Sequence, residues 1–299
     1  MSESIIPQAD QSDFLDCYRG RQGAIHHAAY MRMAKVLMAL HVLKKAGISL
    51  GNKDVFDYGF GAGTFYRYCP PSSRLFGVEI DPLNVAAVQE MLKSRGQHGA
   101  DLQTIEIATW EQHPLLQRDY DVILCSHVLE HLQKPIEFLD VVCSRLRKGG
   151  VFVGLVPLNE RKMDPHHVQI VFDPKIRTWA RAAGLHVHAY MEDDPWLYWL
   201  QPTFTHDSGW RHTVAQLLSL GLGIPATLLG PDRWFSLSKH YAHMSGSKPV
   251  QAAFVLGVDP PKRPVLSDPM ETRRPQGRRF ADDKFLAGSR TGVGEDRVV

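Results

Sequence analysis

At 299 residues, with 22% of them charged, 44% hydrophobic and a formal net charge of +2, the chain can bury a sizeable core and shows no strong nucleic-acid signature in its charge. Its four cysteines (Cys17, Cys69, Cys125, Cys143) are scattered and make no C-x-x-C pair, which speaks against a zinc site or disulfide framework and for a reducing cytoplasm. The N-terminal MSESIIPQADQSDFLD lacks the basic region and apolar run of a secretory signal.

Residues 1 to about 20 are polar. From about Gly23 to Ala46 the chain is rich in Ala, Leu and Met, without proline and with Gly47 just after, so one helix or two short ones are expected over the front of the first strand. His26, His27, Tyr30 and Arg32 lie on it and read as a solvated polar face in preference to a ligand contact. Next comes DVFDYGFGAGTFYRYCPPSSRLFGVEID, Asp54 to Asp81. Val55 and Phe56 form a strand that ends in Asp57, glycines follow at every second position (Gly59, Gly61, Gly63), a short helix intervenes, and a second strand closes on Glu79. Glycine serves where a backbone needs positive φ or must approach a ligand, and an acid at a strand tip can accept both hydrogen bonds of a ribose diol. The unit reads as a nucleoside-cofactor site. Its D-x-G-x-G-x-G spacing differs from the G-x-G-x-x-G of a dinucleotide fold, and the Asp57 carboxylate would repel phosphate and suit an ammonium.

Asp81 and Pro82 open a helix as N-cap and first residue, with Val85, Val88 and Leu92 on one face, ending near Arg95-Gly96. A third strand is expected from Leu102 to Ile107. Asp119 to His131 (DYDVILCSHVLEH) reads as a buried fourth strand running through a loop into a helix. Pro135 opens a further helix, with Phe138, Leu139, Val142 and Leu146 inward and an end at Lys148-Gly149-Gly150. GGVFVGLVP is the fifth strand, Asp173-Pro174 caps a helix ending at Ala183-Gly184, LHVHAYM is the sixth strand, and Gln251 to Val258 is the seventh. This alternation predicts right-handed crossovers and a parallel sheet with ligands at its carboxyl edge.

Residues 192–249 exceed what a bare connection needs and read as an insertion, an acceptor lid or a dimer contact. Its helix Arg211 to Leu222 carries a stripe of Val214, Leu217, Leu218 and Gly221, taken as core or a homodimer contact before a lipid site. The apolar run Val214 to Gly230 is broken by Gln216 and Pro225 and is no convincing membrane span. The expected organisation is a segment 1–50 with the covering helix, a core 51–191, the insertion, a last strand at 250–260 and a disordered basic tail, 261–299.

The glycine turn with Glu79, and the strand leading into VLEH, resemble motifs I and IV of the class I S-adenosylmethionine-dependent methyltransferases, of the ubiquinone-biosynthesis-like small-molecule type. The resemblance covers roughly residues 50 to 190. It implies an α/β Rossmann-like fold with a mostly parallel seven-stranded sheet, helices on both faces and an insertion before the last strand. It implies S-adenosyl-L-methionine as cofactor and in-line methyl transfer. Carried over, Asp57, Gly59, Gly61, Gly63, Glu79 and Ile80 hold the donor, and Ser126 and His127 line its methionine end. The family's acid after strand three, which contacts the adenine amine, is missing. Ala108-Thr109-Trp110 stand there, so backbone groups of Thr109 and Trp110, or the indole face, are expected to replace it. His167-Val168 matches a His-Val found in members with VLEH.

A hydroxyl acceptor needs a base, and histidine titrates near neutrality. The order of candidates is His131, His167, His166, with a hydrogen-bonded structural histidine as the competing reading of each. His127 and His131 have H-x-x-x-H spacing, yet no carboxylate-rich motif stands beside them and no metal is expected. The segment CSHV stands where base-amine methylating enzymes carry N-P-P-Y, and no Pro-Cys nucleophile occurs. These absences favour a small-molecule or sugar acceptor under the aromatics Trp196, Tyr198, Trp199, Phe204 and Trp210, which ordinary core packing also explains. Two alternatives remain: an RNA or protein methyltransferase using the tail, whose nine Lys/Arg outnumber six Asp/Glu, and an inactive methyltransferase-like scaffold that binds a protein partner.

Overall fold

The computed structural model describes residues 30–158, 167–171, 173–193, 210–245 and 249–261, all within the compact unit Met1–Leu266. Its strands are β1 (Asp54–Tyr58), β2 (Arg74–Glu79), β3 (Asp101–Thr104), β4 (Tyr120–Ser126), β5 (Leu146–Pro157), β6 (His186–Asp193) and β7 (Gln251–Gly257). They form one seven-stranded sheet in the order β3-β2-β1-β4-β5-β7-β6. Strands β1 to β5 pair in parallel, and β7 runs antiparallel to both β5 and β6.

Parallel strands are covered on both faces, and these read accordingly as near-continuous apolar runs whose side chains alternate between two cores. Val55, Leu75, Val122 and Val153 point to one core, under α1 (Tyr30–Lys45), α2 (Pro82–Ser94) and part of α5 (Trp210–Ser245). Phe56, Phe76, Ile123 and Phe152 point to the other, under α3 (Pro135–Cys143) and α4 (Asp173–Ala182). At the sheet's amino edge Asp54 pairs with Arg74 and, at 2.7 Å, with Arg147, so the charge there is tied up in structure.

Asp81 caps α2 as expected, its Oδ1 accepting from the Leu83 amide at 2.9 Å. Other expectations shift. Helix α1 packs mainly on β5, β6, β7 and α5. Tyr30 is fully buried, receives a hydrogen bond from Trp234 Nε1 at 3.0 Å and packs edge-on to that indole, so it is neither a solvated residue nor a free donor. Strand β3 stops at Thr104, because residues Ile107–Gln112 wind into 3-10 geometry. Helix α3 ends at Cys143, and Leu146 already pairs with Tyr120 as the start of β5, across a register shift. Asp173 sits inside the first turn of α4 and binds Arg177 at 2.9 Å instead of capping from outside.

Helix α5 runs well past Leu222 and breaks at Gly230 (φ 71°, ψ 170°), followed by Pro231. Its second arm docks on α1: Asp232 pairs with His41 at 3.0 Å and with Lys44, and Trp234 and Phe235 enter the core. Its first arm turns Val214, Leu217 and Leu218 outward, which overturns the reading of that stripe as core. His26, His27, Trp196, Tyr198, Trp199, Phe204 and residues 262–299 lie outside the described residues, as does the Trp210 side chain. No described helix is long and apolar enough to cross a membrane.

Candidate active site

The turn after β1 uses three glycines at positive φ (Gly59 72°, Gly61 52°, Gly63 66°). Two of them show why. A Cβ on Gly59 would stand 2.9 Å from Val128 Cγ2, so this close approach of the two loops admits no side chain. Among the described residues, a Cβ on Gly61 would meet nothing within 4 Å, so that residue borders open space among them. The Gly61 amide donates to Glu79 Oε2 at 2.7 Å, and the Ile80 and Asp81 amides donate to Oε1 at 2.9 and 3.3 Å.

Glu79 is 7% exposed. Burial raises its carboxyl above the ordinary range, although three backbone amides pull the other way. Asp57 is more extreme: burial, then the Glu79 charge, push it well above its ordinary value, and its Oδ1 is a buried acceptor without a hydrogen-bond partner among the described residues. Open space over a glycine turn, an acid at the next strand tip and an orphaned buried acceptor suit a cationic, ribose-bearing ligand. At the far end of this edge Thr109 is exposed, whereas the Trp110 indole is buried against Tyr58 and Phe138, so its face serves the core.

Beyond β4 the chain turns sharply at His127, whose φ of 57° is one that histidine tolerates better than most residues. Its amide is held by Leu155 O at 2.9 Å, Ser126 sits half-buried just before it, and Leu129–His131 form a 3-10 turn. Glu130 is fully buried in that turn. His127 Nδ1 lies 3.2 Å from its Oε1, and His167 Nε2 lies 4.0 Å away. The His131 and His167 rings meet edge to face with centroids 4.7 Å apart.

His167 arrives from a distant segment that is laced to the turn: Val168 N donates to Glu130 O at 3.0 Å, and Gln169 Nε2 to Leu129 O and Leu132 O at 3.0 and 2.7 Å. Burial, then Lys35, lowers the proton affinity of His127. Burial pushes the Glu130 carboxyl up, but the adjacent His127 and His131 outweigh it and hold Glu130 below the usual range. The cluster is thus a buried carboxylate ringed by imidazoles. Ligand atoms of Glu130, His131 and His167 all lie within 4.8 Å of one another, close enough to share one cation. His166 lies outside the described residues.

The profile of a methyltransferase-domain family matches residues 27–214, more than half of the chain. The chain belongs to this methyltransferase family. Its sheet order, with β7 antiparallel, is the Rossmann-like fold of class I methyltransferases, enzymes of the EC 2.1.1 class whose donor is S-adenosylmethionine. The chain is 26% identical over 124 residues to the ubiquinone biosynthesis O-methyltransferase of Aeromonas salmonicida (strain A449), a match spanning 40% of this chain and 50% of that protein.

Among solved structures it resembles phosphoethanolamine N-methyltransferase 2 of Haemonchus contortus in complex with S-adenosyl-L-methionine (TM-score 0.55, 13% identity, 84% of this chain and 61% of that one). It also resembles coclaurine N-methyltransferase bound to N-methylheliamine and S-adenosylhomocysteine (TM-score 0.53, 14% identity, 86% and 84%). At such identities the likeness shows the fold alone. Within that fold, sequence reasoning named the histidines and left out Glu130 as the group that gathers them. The available signal was the E of VLEH itself, an acid between two histidines in an otherwise apolar turn.

Proposed function

We propose that this methyltransferase moves the donor's methyl group to an oxygen of a small hydroxylated metabolite or sugar, with a histidine of the Glu130 cluster as base. The observation that carries the reading is the Gly59–Val128 contact, which sets the glycine turn directly beside the loop leading into that cluster. In this reading Glu79 accepts from the ribose diol, and Asp57 with the amides around Gly59, Gly61 and Gly63 holds the methionine end. Ile80, exposed Thr109 and the Trp110 backbone border the adenine, and Ser126 and His127 line the path to the acceptor.

S-adenosylmethionine supplies an electrophilic methyl on a sulfonium, which leaves as a neutral thioether. The chain's residues then have two tasks. They align acceptor oxygen and methyl, which is worth several kcal/mol and up to about 7–11 in well-oriented systems. They also take the hydroxyl proton at His131 or His167 as the O–C bond forms, with Glu130 orienting the rings and stabilising the resulting imidazolium. The buried free thiols Cys69, Cys125 and Cys143 suit a reducing cytoplasm.

A second reading is favoured by one observation. Among the described residues, neither Glu130 carboxylate oxygen meets hydrogen-bond geometry with a partner, and His131 and His167 stand within shared-ligand distance of it. A divalent cation held there by Glu130, His131 and His167 would acidify the bound hydroxyl and replace the base. Incubation with methyl-labelled donor and a host small-molecule extract, followed by mass spectrometry of labelled products, tests the function. Labelled O-methyl products support it, while label found only on nitrogen, on RNA or on protein rejects it. Repeating the assay after chelation separates base from cation.

A further inference from the structure

The first arm of α5 reverses the polarity of an ordinary surface helix. Val214, Leu217, Leu218, Ile224 and Leu228 face outward, Leu217 at 63% and Leu228 at 82% exposure, whereas the buried positions are Ser219, Gly223 and Ala226, with Leu222 and Leu229 half-buried against the core beside them. At about 100° per residue the five large side chains fall within roughly 120° of arc, opposite the three small ones, along about 21 Å of helix. Five large apolar residues on the outer side are the reverse of what water selects. A contiguous stripe of this kind marks a face that meets something apolar.

Charge identifies the partner. From Thr213 to Pro231 there is no Asp, Glu, Lys or Arg, and cations flank this run in the sequence: Arg211 and His212 before it, Arg233 just after it. The acid at this boundary, Asp232, is already paired with His41 and Lys44. A second copy seated on the same stripe would oppose cationic ends to cationic ends in either helix direction, which disfavours a dimer here. An anionic lipid surface satisfies both features, because the acyl boundary takes the leucines and the headgroups take the cations. We propose that this arm of α5 seats the protein on anionic bilayers, lying in the interface plane without crossing it.

Flotation of the full chain with vesicles tests this, comparing phosphatidylglycerol mixed into phosphatidylcholine with phosphatidylcholine alone. The wild-type chain should float with the anionic vesicles only, and raised salt should weaken the binding. The double variant Leu217→Gln/Leu228→Gln, and Leu228→Gln alone, should lower partitioning, roughly tenfold or more for the double variant, with S-adenosylhomocysteine binding unchanged as the sign of an intact fold. The proposal is overturned by absence of vesicle binding or by full binding of the variants. It is also overturned if sedimentation shows a dimer that the double variant dissociates, which would give the stripe to a second copy.

Discussion

The backbone amide of Gly61 donates to the Glu79 carboxylate across 2.7 Å, so the glycine turn and the tip of β2 form one hydrogen-bonded unit. Glu79→Ala removes the anchor of that turn together with the proposed acceptor of the ribose diol. Hydrogen bonds to a charged group are worth about 1.5–3 kcal/mol each, so two lost bonds predict an S-adenosylhomocysteine affinity about 100-fold weaker or worse. Isothermal titration calorimetry measures it, and an unchanged Kd would remove Glu79 from the donor site.

Two neighbouring glycines should respond differently to the same change. Gly59→Ala combines a φ of 72° with a methyl 2.9 Å from Val128, and should cost about 2–4 kcal/mol of stability in denaturant unfolding. Gly61→Ala meets no atom of the described residues within 4 Å and should cost only about 1–2 kcal/mol, yet its methyl enters the space assigned to the donor. Gly61→Ala should therefore weaken donor binding out of proportion to its effect on folding. The opposite ranking would contradict the assignment of that space.

Asp57 links pH to stability. Its folded-state carboxyl is held well above the ordinary 3.8 by burial and then by Glu79, so the native state keeps a proton that the unfolded chain releases. The group's contribution is complete below that value and declines as pH rises toward the folded-state value. Asp57→Asn removes the decline, so the ligand-free variant should melt higher than wild type at neutral pH, with little gain near about pH 4. The same variant should bind the cationic donor less tightly. Melting curves at both pH values check the sign, and equal gains at both would refute a protonation effect.

The Glu130 cluster should separate chemistry from binding. His131→Ala, His167→Ala and Glu130→Gln are expected to lower kcat by about 10²–10⁴ for whichever group carries the proton or holds it in place, with donor affinity within about twofold of wild type. His127→Ala, by contrast, should weaken donor binding. Rates that stay intact in all three cluster variants would move the base elsewhere. A rate abolished by chelation and restored by one divalent metal would favour the cation reading.

Much of this was legible without coordinates, and unevenly so. Seven strands, the D-x-G-x-G-x-G turn and the Asp81 cap were readable because period, positive φ and capping depend on residues a few positions apart. The Trp110 indole was not. Its availability depends on Tyr58 and Phe138, which come from other elements and close over it. The stripe on α5 failed in the opposite direction, since an apolar face looks the same in sequence whether or not a neighbour covers it.

The sequence by itself determined the half we assign to the donor: an acid, three alternating glycines and Glu79 lie within one short β-turn-β unit, where local backbone preference and strand polarity leave few arrangements. Only the tertiary structure decided the half we assign to the acceptor. Glu130 becomes the centre of His127, His131 and His167 because the 167–171 segment is hydrogen-bonded across the Leu129–His131 turn. Such long-range contacts are selected by packing of the whole sheet edge, and no local pattern encodes them.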